Sequence, residues 1–279
     1  MSVRIIVDST ADLKASVKDQ VKIVPLTIHF GEEEYLDGVT MDYVKFYEKL
    51  GSSEVLPTTS QPNPATFEEA YKEVIANGDE AVVITISSKL SGTCQSATIA
   101  AMDYDQIHVV DSKSVAIGVG VLVEFALSLI AEGFSAKEIA EKLVEEKKKV
   151  RIVALIDTLE FLQRGGRISK TAALAGTVLS IKPIIKVQDG VIEQVAKVRG
   201  IKQGFKQISN EAENLGTIDF TRPIMLAFSG MTSENLDKYE EGYGDYWKQE
   251  GASYGMTALG SAIGTHVGPG AVATAFFIK

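Results

Sequence analysis

Three short Val/Ile-rich runs, Val3–Val7, Ala81–Ile86 and Gln106–Val110, constrain this chain most. Each gives way to a polar turn and then to a helical pattern: Ala11–Val17, Thr93–Asp103 and Val115–Glu132. Continuous apolar runs of this length suit strands buried on both faces, and strand, turn, helix in repetition predicts a parallel sheet with crossover helices. A further helix is predicted over Pro64–Asn77, with Asn63 as N-cap, Pro64 at the first helical position and Gly78 as terminator. Ser135 and Glu138 form a capping box for a helix running to about Lys148. Lys22–Tyr35 differs: its β-like runs break at Gly31, which predicts a hairpin excursion from the sheet.

Near Val150 the rhythm changes. Val150–Leu155 reads as a strand and Thr158–Arg164 as a short helix stopped by Gly165-Gly166. Ile184–Val187 and Val191–Ala196 flank Gln188-Asp189-Gly190, and Asp-Gly between apolar runs is a strong hairpin signal. A helix at Ile201–Leu215, a strand at Pro223–Ser229, a helix near Asn235–Trp247 and two last strands follow. The fold class expected is α/β with two domains: a parallel-sheet α/β domain over 1–150 and an α+β domain with a mixed sheet over 151–279. At roughly 150 residues per domain, 279 residues accommodate both.

Composition narrows the function. A hydrophobic fraction of 45% with 23% charged residues is that of a packed globular protein. With 28 basic against 37 acidic residues the net charge is −9, and no basic stripe offsets it, which excludes nucleic acid as a natural partner. A lone Cys94 offers no internal disulfide and suits a reducing, cytoplasmic setting. The longest apolar stretch, Val115–Ala131, is interrupted by Glu124 and Ser128 and falls short of the roughly 20 residues a spanning helix needs. Ile5-Ile6-Val7 stops at Asp8, too early for a signal-peptide core.

Several chemical motifs are absent from the sequence: G-x-x-x-x-G-K-[ST], H-E-x-x-H and G-x-S-x-G. Gly268-Pro269-Gly270-Ala271-Val272-Ala273 matches a dinucleotide fingerprint by letters, but a terminal strand, Thr274–Ile278, follows it where a helix should open. Histidines at 29, 108 and 266 are too scattered to read as a metal cluster. Hydroxyls, in contrast, gather at predicted strand ends. Thr58-Thr59-Ser60-Gln61-Pro62 leads into a helix, and Ser87-Ser88-Lys89-Leu90-Ser91-Gly92-Thr93 lies between a strand and a helix. At the carboxyl edge of a parallel sheet such turns, with the backbone N–H groups of Gly92 and Thr93, would form an anion site; plain N-capping is the alternative. Asp8 and Asp111 also end strands; satisfying donors in their own turns suits them better than holding Mg²⁺. Arg164-Gly165-Gly166-Arg167 and Lys197-Val198-Arg199-Gly200 are cationic turns able to meet a carboxylate or phosphate. His266 sits among glycines that permit close approach of a ligand.

Taken together these segments resemble the DegV family, the fatty-acid-binding subunits of bacterial fatty acid kinase. The resemblance rests on Asp8-Ser9-Thr10-Ala11-Asp12-Leu13, Thr59-Ser60-Gln61-Pro62, Leu90-Ser91-Gly92-Thr93, Val110-Asp111-Ser112, Gly165-Gly166-Arg167-Ile168 and Gly264-Thr265-His266-Val267-Gly268-Pro269-Gly270. It implies two α/β domains enclosing one long-chain fatty acid such as palmitate, stearate or oleate. The carboxylate would be held by Thr59, Ser91 and His266, with Arg167 and Arg199 near the headgroup or facing the kinase. The binding subunit would present this carboxylate to a separate ATP-dependent kinase for acyl-phosphate formation in phospholipid synthesis. It would need no cofactor and would not hydrolyse ATP itself, in keeping with the missing P-loop. Cys94 stands where the family commonly has an aromatic residue, and Gly200-Ile201-Lys202 is less basic than the usual segment.

The residues themselves leave rivals open. An esterase-like hydrolase would use His266 to activate Ser91, with the helix N-terminus at Thr93 as oxyanion site. A phosphate-ligand sensor would use Arg167 and Arg199. A fatty acid tail needs an apolar tunnel, which Val115–Ala131 and Ala172–Leu179 could line, as they could equally form ordinary core.

Overall fold

The structure is a computed structural model and describes residues 2–168, 181–249 and 253–279. Among them β1 (Val3–Asp8), β2 (Val21–Val24), β6 (Glu80–Thr85) and β7 (Ile107–Asp111) form an all-parallel sheet in the order β2-β1-β6-β7. A small antiparallel sheet runs β4-β3-β5, from β3 (Thr27–Phe30), β4 (Glu33–Leu36) and β5 (Thr58–Ser60). The third sheet has the order β10-β9-β8-β13-β11-β12. Its strands are β8 (Val150–Leu155), β9 (Ile181–Gln188), β10 (Val191–Arg199), β11 (Ile224–Phe228), β12 (Tyr254–Ala258) and β13 (Val272–Phe277). Every pairing in it is antiparallel except β11 with β12. The mixed α/β class expected from the sequence is the one observed.

The helices are α1 (Ala15–Lys18), α2 (Tyr43–Ser52), α3 (Pro64–Ala76), α4 (Thr93–Ala100), α5 (Ile117–Ala131), α6 (Ala136–Glu146), α7 (Glu160–Arg164), α8 (Ile201–Asn214), α9 (Glu234–Trp247) and α10 (Ser261–Val267). Local signals start several of them. Asn63 Oδ1 accepts from the Thr66 N–H at 3.0 Å with Pro64 behind it, and Ser135 with Glu138 completes the capping box of α6. Asp189 and Gly190 both take positive φ, 52° and 83°, which turns β9 into β10 in the two-residue hairpin expected for Asp-Gly.

Packing stacks these elements in five layers. α3 and α4 cover one face of the parallel sheet through Phe67, Tyr71 and Ala97. α8 and α9 cover the outer face of the mixed sheet through Phe205, Ile208, Tyr239 and Trp247. Between the two sheets lies one continuous apolar core, with α5 at its centre. That helix touches β1 and β6 on one side and β8, β11 and β13 on the other, which explains its near-absence of polar residues. Gly120 lets it approach closely: a methyl there would come within 2.6 Å of the Asp12 carbonyl oxygen and 2.8 Å of Met225 Sδ.

Three local expectations are corrected. Residues 22–24, read with the hairpin excursion, belong to β2 at the edge of the parallel sheet, and only β3 and β4 turn about Gly31. Ala11–Val17 contracts to the helix Ala15–Lys18, because tertiary contacts hold the chain before it: Asp12 Oδ1 accepts from the Gly260 N–H and the Leu13 carbonyl from Thr257 Oγ1. Thr58–Ser60 is no turn after a parallel strand but a strand paired to β3. Ala172–Leu179, the second candidate tunnel helix, lies outside the described residues.

Candidate functional site

A cavity of about 340 Å³ opens between the sheets. Its apolar wall follows from the period-2 geometry of the mixed sheet. Along β8, Ile152 and Ala154 face the cavity, while Val153 and Leu155 face the outer core. On β9, Ile185 and Val187 line it while Ile184 turns away. The first residue of α5, Ile117, and Ile263 of α10 add to the wall. Of the candidate helix Val115–Ala131 only the beginning faces this space, and the rest is core.

One end of the cavity is polar. Thr59, Ser91, Gly92, Arg167 and His266 all line it, although they come from β5, the β6–α4 loop, the segment after α7, and α10. Thr59 Oγ1 and His266 Nε2 stand 2.9 Å apart across 207 residues of chain. Ser91 Oγ lies 2.8 Å from Thr93 Oγ1 and accepts from the Thr93 N–H at 3.2 Å. Arg167 is pinned by its own donors, Nε to the Leu90 carbonyl at 3.1 Å and Nη1 to the Gly165 carbonyl.

Burial, assisted by the neighbouring Arg167 charge, pulls the His266 imidazole down from 6.5 to about 4, so at neutral pH the ring is uncharged and carries one proton. With that proton on Nε2, the ring donates to Thr59 Oγ1 and leaves the Thr59 hydroxyl proton free to turn into the cavity. Ser91 Oγ accepts from the Thr93 N–H in turn, and whenever the Thr93 hydroxyl also donates to it, the Ser91 proton is free for the cavity. Two hydroxyls able to donate beside a guanidinium suit an anionic oxygen at the end of an apolar ligand. His266 Nδ1 is buried without a partner among the described residues and faces Gly165, where a methyl would come within 2.3 Å of it.

The other candidates are dispersed. Thr93 is fully buried behind Ser91 and its N–H is spent on that hydroxyl, so of the expected backbone pair Gly92 lines the cavity while Thr93 supports Ser91. Arg199 ends β10 and lines neither this cavity nor the hollow of about 200 Å³ beside its polar end, which Pro57, Phe161 and Arg164 line together with Thr59, Arg167 and His266. The two arginines therefore form no joint phosphate site. No Ser91–His266 hydrogen bond exists among the described residues and no carboxylate orients Nδ1, so the hydrolase arrangement is not assembled. Asp8 accepts from the Thr10 and Ile86 N–H groups, and Asp111 from those of Ser88 and Lys113, as turn-stabilising carboxylates do. The described residues contain no cluster of three metal-binding side chains, and no helix among them is long and apolar enough to cross a membrane.

Gly165 and the inward-facing strand residues Ile152, Ala154, Ile185 and Val187 escaped the sequence reading as site residues. Val150–Leu155 is apolar on both faces apart from Arg151, so the sequence does not tell its inward residues from its outward ones, and nothing local marks Gly165 as a neighbour of His266.

Comparison with known proteins places this architecture. The family model described as "Uncharacterised protein, DegV family" matches residues 2–279. A DegV domain-containing protein of Caldanaerobacter subterraneus is 34% identical over 281 residues, covering 98% of each chain. A DegV family protein from Thermus thermophilus, solved with reference to its fatty acid binding, superposes with a TM-score of 0.88 at 29% identity over 100% of both chains. A DegV family protein from Eubacterium eligens, solved loaded with heptadecanoic acid, superposes at 0.85 with 25% identity, again over 100% of both chains. With a family match across nearly its whole length and a relative of this identity, the chain belongs to the DegV family.

Proposed function

We propose that this protein binds one long-chain fatty acid, tail in the apolar cavity and carboxylate at Thr59, Ser91 and His266. The observation that carries the reading is the pairing of a buried apolar space with a polar end where the Thr59 and Ser91 hydroxyls, His266 and Arg167 gather. The fatty acid binding of the Thermus and Eubacterium relatives supports it. Burial of a tail stabilises by about 0.8 kcal/mol per methylene, so about 14 methylenes give a gross gain of roughly 11 kcal/mol, reduced by the cost of ordering the chain. The headgroup contributes a few hydrogen bonds of about 1.5–3 kcal/mol each at most, so the tail dominates affinity and the polar end sets register.

We further propose two domains, 1–150 and 151–279, with the lipid site between them, and a non-catalytic role in which the carboxylate is offered to an ATP-dependent kinase subunit. The hollow at the polar end supports this, because Arg164 and Arg167 line it next to Thr59 and His266, where a transferred phosphoryl group would carry its charge. Lipid extraction of the purified protein followed by mass spectrometry tests the binding reading. A stoichiometric fatty acid is expected; protein that is lipid-free and takes up neither palmitate nor oleate on titration refutes it.

A further inference from the structure

Asp12 and Asp37 lie outside the cavity, and the headgroup reading does not use them. Asp12 belongs to the loop after β1 and Asp37 follows β4 of the small sheet, yet both are buried, at 5% and 3% exposure. They converge on one backbone turn. Asp12 Oδ1 accepts from the Gly260 N–H at 2.7 Å, and Asp37 Oδ1 accepts from the Ser261 N–H at 3.2 Å. A methyl on Gly260 would stand 3.2 Å from Asp12 Oδ1 and 3.7 and 3.9 Å from the two Asp37 oxygens. That turn opens α10, whose last turn carries His266. On another face α10 presses against α2, where a methyl on Gly264 would come within 2.6 Å of the Tyr47 hydroxyl and 2.8 Å of Phe46.

The remaining oxygens, Asp12 Oδ2 and Asp37 Oδ2, are buried with no hydrogen-bond partner among the described residues. Two acids in one water-poor space resist carrying two charges. Burial pushes Asp37 up to about 6, and burial together with the Asp37 charge pushes Asp12 well above the usual carboxylate range. The other groups facing the pair are Lys18 of α1, the Ser9 and Ser261 hydroxyls, and the buried Tyr47 phenol of α2. Lys14 is engaged instead by Glu124 at 2.6 Å.

We infer that Asp12 and Asp37 are positioning residues that clamp the start of α10 and so set where His266 stands. The inference rests on the fatty acid reading for its effect on affinity, but its structural half is measurable without ligand. Hydrogen exchange of the 261–267 amides and palmitate titrations between pH 6 and 8.5 test it on wild type, Asp37→Ala, Asp37→Asn and Asp12→Asn. In Asp37→Ala, exchange across 261–267 accelerates and palmitate affinity falls about tenfold, the order expected for one lost hydrogen bond to a charged group. Wild-type affinity declines as pH rises across the window, and Asp37→Asn, which keeps the acceptor without the charge, flattens that decline. Should Asp37→Ala not fold, the two isosteric Asn variants carry the pH comparison. Wild-type exchange in Asp37→Ala, or an Asp37→Asn pH profile identical to wild type, overturns the clamp. A wild type that binds no palmitate overturns the fatty acid reading alone, and the exchange data still decide the clamp.

Discussion

Gly165→Ala should weaken fatty acid binding without weakening the fold. Gly165 ends α7 at φ −69° and ψ −13°, a conformation alanine adopts freely, so no backbone strain is introduced. The added methyl, however, would sit 2.3 Å from His266 Nδ1, where ordinary contact begins near 3.4 Å. The imidazole must retreat by roughly 1 Å, an adjustment a close-packed site does not absorb freely. Such a shift carries the 2.9 Å Thr59–His266 contact beyond hydrogen-bonding range if Thr59, held in β5, does not follow. Losing the hydrogen bond that orients the Thr59 hydroxyl should cost about 1.5–3 kcal/mol of headgroup interaction, or roughly 10- to 150-fold in Kd. Palmitate titration by calorimetry reads the affinity, and thermal melting reads the fold. Gly166→Ala is the control: Gly166 has φ +72° with open space around it, so the change should lower stability by about 1 kcal/mol yet leave affinity alone. Wild-type palmitate affinity in Gly165→Ala would refute the reasoning.

Thr59→Ala, Ser91→Ala and His266→Ala should each weaken lipid binding by up to about a hundredfold while nearly silencing acyl-phosphate formation with a cognate kinase, since an acceptor displaced by about 1 Å can cost about a hundredfold in rate. Wild-type transfer by all three when saturated with fatty acid would remove them from the headgroup. Arg167→Ala should slow phosphorylation more than it weakens binding, whereas Arg199→Ala, whose side chain lines neither hollow, should leave palmitate affinity unchanged; a loss of affinity in the latter would place Arg199 in the lipid site. The His266 ring should stay neutral until the pH nears about 4, as a ring-carbon NMR titration can show. Its folded value lies below its unfolded one, so the unfolded chain binds the proton first. The stability attached to the neutral ring is therefore present above about pH 6.5 and lost as the pH falls toward 4, by at most about 3 kcal/mol. A stability difference between wild type and His266→Gln that stays flat across that window would contradict this.

Much of this fold is legible in local signals. Asn63-Pro64, the Ser135–Glu138 box and Asp189-Gly190 act within a few residues, so the elements they open or close stand where the sequence places them. Sheet membership is not local. Residues 22–24 look like part of the excursion until they pair with β1, and Thr58–Ser60 looks like a turn until β3 lies beside it. The site shows the same division. Thr59, Ser91, Arg167 and His266 announce themselves through hydroxyls, charge and flanking glycines, and the fold brings all four to one cavity. Gly165 carries no such mark, because its importance is a distance to a histidine a hundred residues away. Ala11–Val17 fails as a helix for a related reason: Asp12 and Leu13 spend their hydrogen bonds on the far end of the chain.

The apolar helix α5, clasped by both sheets, bears on how a ligand enters and leaves. Parting the sheets along it would wet Leu122, Phe125 and their neighbours, at about 1.5–3 kcal/mol for each large side chain uncovered. A hinge that opens like a book is therefore far more costly than a small displacement at the rim. Traffic through the cavity should follow the second route, with rim side chains yielding while the sandwich stays shut. Residence time would then be governed by a few rim side chains, and affinity by the long wall behind them, so the two properties can be altered separately.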